Sequence, residues 1–134
     1  MHKVLIINGS PRENGNTSVA VSEVAKTLRN DGIEPLVVRI GSDNIRGCIA
    51  CGYCLKNGKC VFNDKVNELS KIFEEVDGLI VASPVYYASA NATLIATLDR
   101  LFYSSHFDMR FKVGASIAVA RRGGCSSTFD ELNK

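Results

Sequence analysis

Tryptophan is missing from this sequence, and proline occurs three times and histidine twice among 134 residues. An excess of one charge is missing too: 16 basic against 14 acidic residues leave a net +2, and no Lys/Arg cluster is longer than Arg121-Arg122. Neutralising a phosphate backbone takes more than that, so neither nucleic acid nor a membrane surface is an expected partner. Long apolar runs are lacking as well. The first, Val4 to Ile7, is too short for a secretory leader, and none approaches the ~20 residues of a membrane helix. A cytoplasmic chain with reduced thiols is therefore expected. In that setting the five cysteines point away from disulfides and toward metal, cluster or redox chemistry.

What is present is a regular alternation of strands and helices, of a length that suits one domain over residues 1–134. Val4-Leu5-Ile6-Ile7 reads as a strand buried on both faces, as in a parallel sheet. A polar loop follows. Val21, Val24, Ala25 and Leu28 then have the spacing of an amphipathic helix, which Asn30-Asp31-Gly32 ends. Leu36 to Ile40 makes a second strand. Residues 41–62, rich in Gly, Cys and Asn, show no lasting periodicity and read as a long loop, which in a compact domain usually has a function. A second helix is predicted over Asp64–Val76, burying Val66, Leu69, Ile72, Phe73 and Val76. A third strand spans Gly78–Ser83, with Pro84 against its continuation. A third helix from Ala90 to Ser104 puts Leu94, Ile95, Leu98, Leu101 and Phe102 on one face. Phe111–Ala120 is a fourth strand, Arg121 to Gly124 a loop, and another helix begins near Phe129. With right-handed crossovers the pattern makes a three-layer, doubly wound α/β sheet.

Two stretches carry chemistry. Residues 8–18, Asn-Gly-Ser-Pro-Arg-Glu-Asn-Gly-Asn-Thr-Ser, lie between the first strand and the first helix, where free N–H groups and the helix dipole face an anion. Ser10, Asn16, Thr17 and Ser18 add side-chain donors, and Arg12 a positive charge. Neither G-x-G-x-x-G nor G-x-x-x-x-G-K-[ST] occurs here, which sets aside dinucleotide and triphosphate loops. The plainer alternative is a polar turn with a helix cap. In the second stretch, Cys48, Cys51, Cys54 and Cys60 form a C-x2-C-x2-C-x5-C run, close to the spacing of cluster-binding loops. Structural zinc more often uses two separated Cys pairs or a His ligand. Cluster, zinc and redox-active or free thiols all stay open as occupants.

The loop resembles the FMN-phosphate loop of the NADPH-dependent FMN reductase and iron–sulfur flavoprotein family, through Gly9-Ser10-Pro11-Arg12 and Gly15-Asn16-Thr17. Ser83-Pro84-Val85-Tyr86-Tyr87 matches that family's second flavin loop, and Ala120-Arg121-Arg122-Gly123-Gly124 its third. All three follow parallel strands at their C-terminal ends, where open α/β sheets bind ligands. The resemblance implies a flavodoxin-like sheet of order 2-1-3-4 with a fifth strand that the sequence leaves no residues to make, so a C-terminally truncated chain is expected. It implies FMN held by Ser10, Arg12, Asn16, Thr17 and Ser18 at the phosphate, by Pro84, Val85, Tyr86 and Tyr87 along the ribityl chain and ring, and by Arg121, Arg122, Gly123 and Gly124 beside the ring. It also implies a 4Fe-4S cluster on the four cysteines, reduced NADH or NADPH as electron donor, a quinone, another small molecule, a protein or the cluster as acceptor, and a homodimer or homotetramer. Packing under the loop is the alternative for Tyr86 and Tyr87. A pure electron carrier and a thiol-based sensor are the rival functions. Cys125 stands apart in the third of these loops, either a thiol near the flavin or an ordinary small side chain. His2 and His106 have no ligand or triad spacing, and Asp99-Arg100 reads as a salt bridge at a surface or interface.

Overall fold

The computed structural model describes residues 1–134 and contains four parallel strands and five helices. In chain order they are β1 (Lys3–Asn8), α1 (Asn16–Asn30), β2 (Glu34–Arg39), α2 (Tyr53–Asn57), α3 (Lys65–Glu75), β3 (Gly78–Pro84), α4 (Ala92–Ser104), β4 (Val113–Val119) and α5 (Cys125–Leu132). The sheet order is β2-β1-β3-β4, as expected. Leu5 pairs with Leu36 on one side and with Leu79 on the other, and Ile80 with Ala115.

Central β1 is apolar without alternation because both its faces are covered. Leu5 and Ile7 join the core beneath α3 and α4, with Val66, Leu69, Phe73, Leu94 and Leu101. Ile6 points the other way, into a smaller cluster with Val21 and Ala25 of α1. Each fully buried Leu or Ile contributes about 1.5–3 kcal/mol, so the centre of the sheet is its most strongly held part. The C-terminal ends of β1, β3 and β4, whose register is fixed there, carry the loops of interest.

Several boundaries differ from the sequence reading. A single helical turn, α2, interrupts the 41–62 loop, too short to leave a periodic signal. Helix α5 starts at Cys125, ahead of Phe129. The Thr128 hydroxyl donates to Gly124 O and the Ser127 hydroxyl to Ala88 O at 2.7 Å, so residue types that look like loop formers sit inside the helix. Strand β4 begins at Val113 because Phe111 has φ 67° and is fully exposed, a backbone conformation outside any strand. Phe102 is half exposed and meets Phe73 edge-on at 5.9 Å. At the sheet edge β4 leaves Val113 exposed, beside a cavity of about 490 Å³ that Phe73, Leu98 and Phe102 help to line. No helix is long and apolar enough to cross a membrane.

Candidate functional site

The loop between β1 and α1 is built from its own hydrogen bonds. At the end of β1, buried Asn8 uses both ends of its amide: Oδ1 accepts from Ser10 N at 2.9 Å, and Nδ2 donates to Ser18 Oγ at 3.1 Å. The Ser10 hydroxyl accepts from Arg12 N at 3.2 Å, and Ser18 Oγ donates to Arg12 O at 3.3 Å. From β2, Arg39 donates to Pro11 O at 3.2 Å. Gly41 packs directly beneath: a Cβ there would lie 2.1 Å from Ser10 C and 2.3 Å from Gly9 O. Only a residue without a side chain allows this approach.

Helix α1 opens on Gly15 with no side-chain cap and no acidic residue in its first turn. Its first listening carbonyl is that of Gly15, which accepts from Val19 N at 3.1 Å, so the N–H groups of Asn16, Thr17 and Ser18 have no protein partner. These unsatisfied donors at the positive end of a helix make a site for an anion. Arg12 and Arg121 form no ion pair with any carboxylate, and their charge is uncompensated.

Around this helix end lies a cleft of about 510 Å³. Ser10, Arg12, Asn16 and Thr17 line it from the first loop, Pro84, Val85 and Tyr86 from the second, and Arg121 from the third. Three segments separated by some seventy and thirty-five residues in sequence thus meet at one place, beside the point where the strand order reverses at β1. The second loop is held by Asn91, which caps α4 by accepting from Thr93 N and Leu94 N and points its amide at the Tyr86 hydroxyl. Glu131 of α5 accepts from Ser89 Oγ and Ala90 N at 2.8 and 2.9 Å.

The remaining expected residues stand outside the lining. Ser18 braces the loop through Asn8 and Arg12. Tyr87 is fully exposed, and Arg122 and Gly123 are exposed as well. Gly124 serves packing: it has φ +97°, and a Cβ there would come within 2.9 Å of Val85 Cγ1.

Cys48, Cys51, Cys54 and Cys60 all border a second, mostly apolar cavity of about 390 Å³. No group of three His, Cys, Asp or Glu side chains is placed to hold a single metal ion. Cys48 Sγ accepts from Ala50 N at 3.3 Å. Cys60 is fixed from both sides of its peptide by Asn67, which accepts from Cys60 N at 2.9 Å and donates to Cys60 O at 3.1 Å.

Behind the thiols lies Arg100, fully buried on α4. It pairs with Asp64 through both terminal nitrogens at 2.8 Å, and it reaches Arg46 O and Phe62 O. Its Nε donates to Cys60 Sγ at 3.3 Å. Burial lowers the Arg100 pKa, but hydrogen bonds and charge from Asp64 and Cys60 outweigh it and hold the guanidinium above its usual range. Asp64 also accepts from Val66 N as the cap of α3. The sequence pairs Arg100 with Asp99 as a salt bridge at a surface or interface, whereas its partner is Asp64, 36 residues away and only half-buried.

The family model for NADPH-dependent FMN reductases matches residues 2–133. An iron–sulfur flavoprotein of Methanocaldococcus jannaschii is 37% identical over 134 residues, covering 98% of this chain and 69% of that protein. One of Archaeoglobus fulgidus is 41% identical over 118 residues, covering 87% of this chain and 54% of its own length. The chain thus spans between half and three quarters of these relatives. Among solved structures, an NADH:FMN oxidoreductase in its apo form superposes with a TM-score of 0.71 at 24% identity, covering 100% of this chain and 66% of that one. The NAD(P)H:quinone oxidoreductase of Methanothermobacter marburgensis gives 0.74 at 16% identity, covering 96% and 72%. The two likenesses carry the flavodoxin-like fold, and the match over almost every residue carries more: the chain belongs to the NADPH-dependent FMN reductase family.

Proposed function

We propose that this chain is an FMN-dependent oxidoreductase that takes electrons from NADH or NADPH and passes them to a quinone, another small acceptor or an iron–sulfur cluster. The observation that carries the reading is the uncapped start of α1, open to a cleft with two uncompensated arginines. A phosphate monoester supplies the dianion this place lacks. Main-chain N–H groups of Asn16, Thr17 and Ser18 would hold it, with Arg12 adding charge and Thr17 a hydroxyl. Pro84, Val85 and Tyr86 would lie along the ribityl chain and ring, and Arg121 would face the ring from the third loop. Tyr87, Arg122 and Gly123 would take part only by turning inward from their exposed positions.

FMN, when bound, would supply the hydride and electron-transfer chemistry. The protein would position it, with Val85 and Tyr86 packed against it and Arg121 offsetting negative charge.

Four thiols around one cavity, in a run close to the spacing of cluster-binding loops, suit an iron–sulfur cluster, in which each thiolate binds its own iron. Exposed Cys48 and Cys51 fit a reducing cytoplasm, and the exposed β4 edge fits a homodimer or homotetramer.

Anaerobic mixing of the FMN-loaded protein with NADH or NADPH tests the activity. Bleaching of the flavin with one of them is expected. A flavin reduced by dithionite but by neither nucleotide would make the chain an electron carrier, and would end the enzyme reading.

A further inference from the structure

Ser104 lies one helical turn after Arg100, so both side chains leave the same face of α4. That face forms a wall of the cysteine cavity. The Ser104 hydroxyl is buried and is the one buried side-chain nitrogen or oxygen in the protein without a hydrogen-bond partner. Buried polar groups are rarely left so, and this one borders the space the four thiols surround. Arg100 beside it has every terminal N–H direction engaged by Asp64 and two carbonyls, which fixes the guanidinium plane and leaves Nε aimed at Cys60 Sγ. A lysine could not satisfy Asp64 and the sulfur together.

We propose that Arg100 and Ser104 are positioning residues that raise the reduction potential of an iron–sulfur cluster held by Cys48, Cys51, Cys54 and Cys60, Arg100 by its hydrogen bond to Cys60 Sγ and Ser104 by offering its hydroxyl to a cluster sulfur. The proposal rests on the cluster reading given above. Hydrogen bonds to sulfur favour the more negative, reduced form, and they are among the determinants of such potentials. Asp64 tempers the effect by neutralising most of the guanidinium charge. The directed N–H therefore matters more than the charge.

The test is reconstitution of the chain with iron and sulfide, measurement of iron and sulfide per chain, and an anaerobic equilibrium titration of the cluster against redox dyes. Wild type, Arg100→Lys, Ser104→Ala and Ser104→Thr are compared, with far-UV circular dichroism as the fold control. Arg100→Lys is expected to keep its iron and shift the one-electron equilibrium about tenfold toward the oxidised form, ~59 mV. Ser104→Ala is expected to shift it about threefold in the same direction, the worth of one neutral hydrogen bond. Ser104→Thr, which keeps the hydroxyl, is expected to restore the wild-type value. If Arg100→Lys fails to fold, the serine pair decides. Full iron with unmoved potentials would overturn the proposal alone. Wild type without iron or sulfide would overturn the cluster reading and the proposal with it.

Discussion

The two candidate site loops of this protein are built in opposite ways. The loop after β1 is shaped by bonds within itself: Asn8, Ser10, Arg12 and Ser18 satisfy one another, and the donors left over all point at one cleft. The cysteine loop is held from outside, by Asn67 and Asp64 near α3 and by Arg100 on α4, and its thiols line an apolar space. The first is complete before a ligand arrives. The second leaves the buried Ser104 hydroxyl without any protein partner. A cofactor that binds as an anion needs a preformed cradle, whereas a group bonded through four sulfurs can complete its own site.

The comparison breaks most completely at the cysteines. Cys51→Ser is expected to abolish iron incorporation, as measured by iron per chain after reconstitution, while FMN affinity stays within about twofold, well under the ~1.4 kcal/mol of a tenfold change. Coupled loss of both would mean that the two loops are one site.

Gly41 tests the opposite side. An Ala there would drive its Cβ into the Ser10 backbone, and the loop must move. FMN binding, followed by quenching of flavin fluorescence, is expected to weaken about a hundredfold, some 2.7 kcal/mol, with iron content unchanged.

Arg12→Gln is milder. Loss of the Arg12 charge at the cleft is expected to weaken FMN about tenfold, in the range of a charge-assisted hydrogen bond. Riboflavin, which lacks the phosphate, should bind both forms alike. Higher salt should narrow the FMN difference, because Arg12 is exposed.

Much of the first loop was legible in the sequence, because its chemistry is local. Ser10, Asn16 and Thr17 lie within one β-α connection, and the run Val4–Ile7 fixes where that connection begins. The sheet order follows from alternation and the resemblance. What escaped was non-local. Gly41 matters only because β2 returns beside Ser10, and Asn8 looked like the end of a strand. Arg100 was read with its sequence neighbour Asp99, yet the fold brings it to Asp64 on a different element. Helix α2 and the start of α5 were hidden because one turn has no period and because Ser and Thr read as loop formers. Ser104 carries no signal of its own, except that it follows Arg100 at the four-residue spacing of one helix face.

The smallest effect concerns neither loop. Asp77 accepts from Lys3 N at 2.8 Å and faces His2, and the backbone bond from Lys3, ahead of the opposing desolvation and the help of His2, holds its carboxyl below the ordinary range. A carboxylate with a lowered folded-state pKa contributes stability that is fully present above its unfolded value, about 3.9, and is lost as pH falls through the folded value. Asp77→Asn is therefore expected to flatten the loss of stability below about pH 4, seen in the midpoint of urea unfolding across pH, and to leave both ligand loops untouched.

The account stands on the grip of the α1 N-terminus on a phosphate. The direct measurement is the pair of dissociation constants for FMN and riboflavin, taken by fluorescence titration under one buffer. FMN is expected to bind at least about a hundredfold more tightly, the ~2.7 kcal/mol that several N–H donors and an arginine can supply. Equal affinities would contradict the account.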